Sequence, residues 1–320
     1  MYFRCLKIAA FVLLVALLGA GVSWSGHKVI GVVLTADLPR YREAQRAFVK
    51  AMAAKGYDHA NLDYLVQTPN PDAASWSNAA RKMSAVGVNL VVAFGAPAAQ
   101  AVAREADALP MVFVDVFGPQ EAGIVRTMSG DGGMATGVSS KVPLVTVIKA
   151  AQDLKPLKTL GVVYNAKESG SQLQCKELKR LAAKNGFAII EIPLSTGSSV
   201  DQLLSPVLAK VDYLYLSESV AANKFLDRII ARATAENVPV ISTIPGSSEH
   251  GALISLEINP AEQGQLAAEY AAKSLSGMAA GQMPVRIPSQ IDLIINLKTA
   301  RTLEIQVPFQ VLSMATKVLK

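Results

Sequence analysis

Lys28-Val-Ile-Gly-Val-Val-Leu34 is a short run of β-branched and apolar residues set between His27 and Thr35. A run this short and this apolar reads as a strand buried on both faces, as in a parallel sheet covered by helices. The next segment has the other period. Pro39 opens a stretch in which Tyr41, Ala44, Phe48, Ala51 and Met52 recur at helical spacing, and Gly56 closes it. The alternation repeats, with strands expected over 62–66, 89–94 and 110–116 and helices over 72–86 and 98–106. That order predicts a parallel sheet with helices on both faces.

A glycine-rich stretch, Ser129-Gly-Asp-Gly-Gly133, interrupts the pattern, and Thr136-Gly137-Val138-Ser139 comes after it. The alternation then restarts. Helices are expected over 142–154, 171–184, 200–209 and 221–236, and strands over 159–164, 187–192, 213–216 and 239–242. Two such units predict an α/β protein of two Rossmann-like lobes, each with its own parallel sheet. The tail adds a strand over 252–258, an Ala-rich helix over 260–275 and an extended segment over 285–296. A strand and helix arriving so late are explained if the chain returns to the first lobe. The expected division is 27–138 plus 252–284 for one lobe and 139–251 plus 285–320 for the other. Crossings near 137–141, 248–253 and 284–290 would form a hinge. Ligands of open α/β sheets sit beyond the carboxyl ends of the strands, which here means the cleft between lobes.

The amino terminus carries Arg4 and Lys7, an apolar run from Ile8 to Leu18, and then small residues. This is the pattern of an export signal over 1–25, and the run is short for a membrane span of about 20 residues. It places the mature chain in the periplasm, with an uncleaved anchor as the other reading. Cys5 precedes the apolar run, so no lipoprotein signal is formed. Lys and Arg are scattered, and with the formal charge at +6 the chain has no basic tract for nucleic acid. Cys175 is the one cysteine beyond the signal, and His27, His59 and His250 stand far apart. Neither a disulfide framework nor a metal site is expected. No phosphate loop or dinucleotide fingerprint occurs, so no cofactor is expected. Ser247, Ser248, Glu249 and His250 adjoin one another without a nucleophile elbow, and the chain reads as a non-enzyme.

Taken in order, several segments resemble one family. They are Ile30 to Thr35, Gly95-Ala96-Pro97-Ala98-Ala99, Pro110-Met-Val-Phe113, Thr136-Gly137-Val138-Ser139, and Gly161-Val-Val-Tyr164-Asn165 with Glu168-Ser169 just beyond. Gly251-Ala-Leu and Asn296-Leu297 complete the set. The chain is similar to ABC-transporter substrate-binding proteins of the periplasmic binding protein type I fold, a family that includes tryptophan and tyrosine uptake proteins. The resemblance implies a monomeric receptor that binds a small organic ligand between its lobes and delivers it to an inner-membrane ABC permease. A periplasmic sensor handing its closed state to a membrane kinase or cyclase is the alternative. The chain departs from the family at Ala96, where Thr is usual, at Gly118-Pro119 in place of Asp-Pro, at Ser217-Glu218-Ser219 and at Asn259-Pro260. These departures leave the ligand class open.

The resemblance implies contacts from the loops after the first, third and fourth strands, which brings in Thr35, Asp37, Ala96 and Phe117, and from the segment Asn165 to Ser169. Asp37 has a second reading, as a cap of the first helix. Thr136 and Ser139 offer hydroxyls to a carboxylate or amide, or else belong to a hinge turn built on Gly137. Asn165, Glu168 and Ser169 precede a helix, whose free N–H groups attract anions, or they cap it. Glu218 suits a ligand cation, or the start of the helix at 221. Phe117, past the end of its strand, suits a stacking wall.

Overall fold

The computed structural model describes residues 27–130 and 132–320, and the export signal expected over 1–25 lies outside them. The first lobe begins with β1 (Lys28–Leu34), α1 (Pro39–Ala54), β2 (Leu62–Gln67), α2 (Ala73–Val86), β3 (Leu90–Phe94), α3 (Ala96–Glu105), β4 (Met111–Val116) and β5 (Ala135–Ser139). Its sheet is fully parallel in the order β2-β1-β3-β4-β5. Side-chain alternation along β1 divides the core. Ile30, Val32 and Leu34 face the layer of Phe48 and Met52, whereas Val33 faces Trp76 and Met83. The helix boundaries obey local chemistry. Pro39 stands in the first turn of α1, the Asp72 carboxylate accepts from Ser75 N–H at 2.9 Å, and Gly87 ends α2 at φ 71°.

The second lobe runs through α4 (Leu144–Leu154), β6 (Thr159–Tyr164), α5 (Ser169–Asn185), β7 (Ala188–Pro193), α6 (Val200–Leu208), β8 (Tyr213–Leu216), α7 (Val220–Lys224), α8 (Leu226–Ala235), β9 (Val240–Ser242) and β10 (Ile254–Ile258). The chain then gives α9 (Pro260–Leu275), β11 (Ile291–Asn296), α10 (Leu297–Thr302), α11 (Phe309–Met314) and β12 (Lys317–Leu319). The second sheet has the order β12-β11-β10-β9-β8-β6-β7. It is parallel except for the β10–β11 pair, which is antiparallel.

Two expectations are corrected. The strand over 252–258 does not return to the first lobe: β10 pairs with β9 and β11 in the second sheet. The helix returns, followed by the segment through Val285, and α9 packs along α1 and beneath β4 and β5. The second crossing therefore falls at Asn259, whose side chain caps α9 through Ala261 N–H at 2.8 Å, and not at 248–253. Thr136 to Ser139, read as ligand contacts or a hinge turn, form the fifth strand of the first sheet, which leads straight into the first crossing. Val138 there bridges to Arg286, stitching the first crossing to the third. Each lobe is thus an α/β sandwich, and the chain passes between them three times.

Candidate functional site

The carboxyl ends of β1, β3 and β4 face those of β6 and β8 across the lobes. Between them lies a cavity lined by Arg40, Tyr41, Ala96, Pro97, Asp115, Phe117, Glu168, Gly170, Ser171 and Glu218, with about 20 Å³ free, room for one water. The first lobe's charge is set by two residues. Arg40 sits in the first turn of α1, the end of a helix that disfavours a cation. Asp115 offsets this: it accepts from Arg40 Nε at 2.8 Å, with both side chains about 5% exposed. A bulge in β4 aims Asp115. Between Phe113 and Val116 the strand runs one residue longer than its partner segment Gly137–Ser139, and Asp115 takes a left-handed φ of 57°. Gln263 of α9 donates to its other oxygen at 3.4 Å. Arg40 also lies 4.5 Å over the Tyr41 ring and donates to the Tyr41 hydroxyl at 3.0 Å. Its Nη1 is buried without a partner among the described residues.

The second lobe supplies two carboxylates. Glu168 stands at the N-cap of α5 and accepts from Asn165 Nδ2 at 2.7 Å and from Val220 N–H at 3.1 Å, joining two strand-end loops. Burial raises its pKa, against the pull of the Val220 N–H, Arg40 and Asn165. Glu218 is partly buried and accepts from Ser140 Oγ at 3.3 Å, with no ion pair among the described residues. Burial first, and then the Asp115 charge, push its carboxyl up to about 8.

The residues expected from sequence divide accordingly. Ala96, Phe117, Glu168 and Glu218 line the cavity. Asn165 holds Glu168 from behind. Ser169 donates across the lobes to Gln100 Oε1 at 3.1 Å. Four others lie away from the cavity. Thr35 accepts from Ala98 N–H at 3.2 Å at the start of α3, and Asp37 is exposed and paired with Arg42 at 2.9 Å. Thr136 Oγ1 donates to Met283 O at 2.9 Å, and Ser139 Oγ to Val116 O at 3.0 Å, so both brace the hinge. Sequence reasoning passed over Arg40, Tyr41 and Asp115. The signal for Asp115 was a lone carboxylate inside an otherwise apolar strand, where burial of an unpaired charge is not tolerated.

Two α/β lobes, three crossings and a charged cavity between strand ends define a two-lobed binding protein of the periplasmic binding protein type I fold. The profile of the family described as ABC transporter substrate binding protein matches residues 29–319, and the chain belongs to that family. Its members bind solutes and are not enzymes. A tyrosine-binding protein of Clostridioides difficile is 30% identical over 88% of this chain and 82% of its own. Among solved structures, a conserved domain protein from Vibrio cholerae aligns with TM-score 0.87 at 26% identity, over 91% of this chain and 99% of that one. An ABC domain in complex with L-Trp from Streptococcus pneumoniae gives 0.87 at 24% identity, over 92% and 100%. A ligand-free, open substrate binding protein from Clostridium difficile gives 0.69 at 29% identity, over 92% and 99%. The lower score against the open structure fits a cleft whose walls touch here. No helix of the described residues is long and apolar enough to cross a membrane.

Proposed function

We propose that the chain is a periplasmic receptor that closes on an amino acid or a close zwitterionic relative and presents the closed form to an inner-membrane ABC permease. One observation carries the reading. The cavity is lined by Arg40, whose buried Nη1 has no partner among the described residues, and by Glu218, whose carboxyl makes a single long hydrogen bond. The cavity as it stands has room for one water, so a ligand would enter as the lobes part, its carboxylate turned to Arg40 and its ammonium to Glu218. Groups of opposite charge on one small molecule would relieve both lobes at once and shift the population toward closed. The tyrosine-binding relative and the L-Trp complex support an α-amino acid head group. The expected export signal supports the periplasm.

A thermal-shift screen of the purified protein against the common amino acids tests this. A ligand at 100 times its Kd stabilises the native state by about 2.7 kcal/mol, a rise of a few degrees in Tm for a chain this long. Arg40→Gln and Glu218→Gln should each weaken binding about tenfold or more. Absence of any shift, or a shift unchanged in both variants, overturns the assignment.

A further inference from the structure

Glu218 follows β8 directly, and the residues on either side of it are fixed in place. Ser217 Oγ donates to Val163 O at 2.9 Å and meets Ser171 Oγ at 2.6 Å. Ser219 caps α7, accepting from Ala222 N–H at 3.1 Å. The Glu218 N–H donates to the side-chain oxygen of Gln174 on α5 at 3.3 Å, and among the described residues it has no other acceptor. Gln174 is fully buried, and the same oxygen takes two more donors, the Tyr215 hydroxyl at 2.8 Å and the Thr243 hydroxyl at 3.1 Å. Burial pushes the Tyr215 phenol up, so it stays a donor at neutral pH.

A backbone N–H can only donate, so the atom facing Glu218 N–H is the amide oxygen, and this fixes which way the amide points. Its nitrogen is left buried with no partner among the described residues. The oxygen serves three donors while the nitrogen bonds nothing, so what this side chain contributes is an acceptor. A buried N–H without an acceptor is costly, and without Gln174 the Ser217–Glu218 peptide would turn toward another partner. Turning that peptide swings the Cα–Cβ direction of Glu218, whose carboxyl is held only by the 3.3 Å bond from Ser140 Oγ. We propose that Gln174 is a positioning residue of the binding site: its oxygen sets the Ser217–Glu218 peptide, and through it the place where the Glu218 carboxyl meets a ligand ammonium. The inference rests on the amino-acid reading above and adds a residue that touches no ligand.

Calorimetric titration of the purified protein at pH 7 with L-tyrosine, L-tryptophan and L-leucine, each beside the carboxylic acid that lacks its ammonium, decides it. The readout is the ratio of the two dissociation constants in a pair, which isolates what the site gives the ammonium. A merely structural loss weakens both members and leaves the ratio alone. Gln174→Met should lower the ratio about three- to tenfold, the worth of one hydrogen bond. Where that variant does not fold, Gln174→Asn, whose oxygen is withdrawn by one methylene, carries the same expectation. Gln174→Glu keeps an accepting oxygen and changes only the nitrogen that bonds nothing, so it should hold the ratio near that of the unsubstituted protein. Tyr215→Phe removes a different donor and should leave the ratio unchanged. An unchanged ratio in Gln174→Met, or an equal fall in Tyr215→Phe, overturns this inference and leaves the amino-acid reading standing. Absence of any preference for the ammonium in the unsubstituted protein, or failure of every probe to bind it, overturns both.

Discussion

Asp115 combines two unfavourable features, a left-handed backbone and a buried charge, and Arg40 compensates for the second. Removing one partner of a buried pair leaves the other uncompensated, a loss of about 3–5 kcal/mol. Asp115→Ala should therefore lower the unfolding free energy by roughly that amount, with added strain because Ala tolerates a φ of 57° poorly. Asp115→Asn, which suits that backbone and keeps a hydrogen-bond acceptor, should lose less. Urea unfolding ranks the two, and equal, small losses would mean that the pair is not buried in solution. Glu218 gives the pH counterpart. Its pKa is raised in the closed cleft, so the closed state holds a proton that the unfolded chain releases near the usual carboxylate value. The favourable contribution is complete at low pH and fades as pH rises through about 8. Tm of the ligand-free protein should decline from pH 5 to 9, and Glu218→Gln should flatten that decline. A parallel decline in the variant would assign the effect to other groups.

At the scale of elements, the contact between α1 and α9 holds the returning helix to the first lobe, and Gly264 makes it possible. A Cβ at Gly264 would collide with the carbonyl of Ala44 and stand 2.9 Å from Phe48 N. Backbone cannot yield as a flexible side chain can. Gly264→Ala gains about 1 kcal/mol of helix propensity, yet overpacking typically loses 1–3 kcal/mol. A net loss of about 0–2 kcal/mol in chemical denaturation is expected, and a stabilised variant would show that the helices stand further apart. Elements of this kind were legible in sequence because period and punctuation agree: β1 and α9 fall where the apolar runs and Pro260 placed them. β10 was misplaced because a strand pattern shows that a segment is extended, not which sheet it joins. Glu168 and Glu218 were legible because they stand at strand ends. Arg40 was not, since a charge in a first helical turn reads as solvated. Asp115 was hidden by its bulge, which alternation along an ideal strand does not reveal.

For the whole molecule, the three crossings set how the lobes can move. Two are tied into one ladder, in which Ser139 N–H donates to Arg286 O at 2.8 Å and Arg286 N–H donates to Gly137 O at 2.9 Å. These bonds lie at the axis and need not break when the lobes part. Contacts at the far side, such as Ser169 to Gln100, must break. Hinge rotation therefore predicts a divided hydrogen-exchange response to the amino acid giving the largest thermal shift. Amides over 165–172 and 216–224 should exchange more slowly with ligand, while Gly137 to Ser139 and Arg286 stay equally protected with and without it. Gln100→Ala should weaken binding about two- to tenfold, the worth of one hydrogen bond made only in the closed form. Slower exchange along the ladder as well would mean that ligand orders the hinge itself. Closure would then be a coupled folding step, and the closed cleft would be the end of an ordering transition, not one position of two rigid lobes.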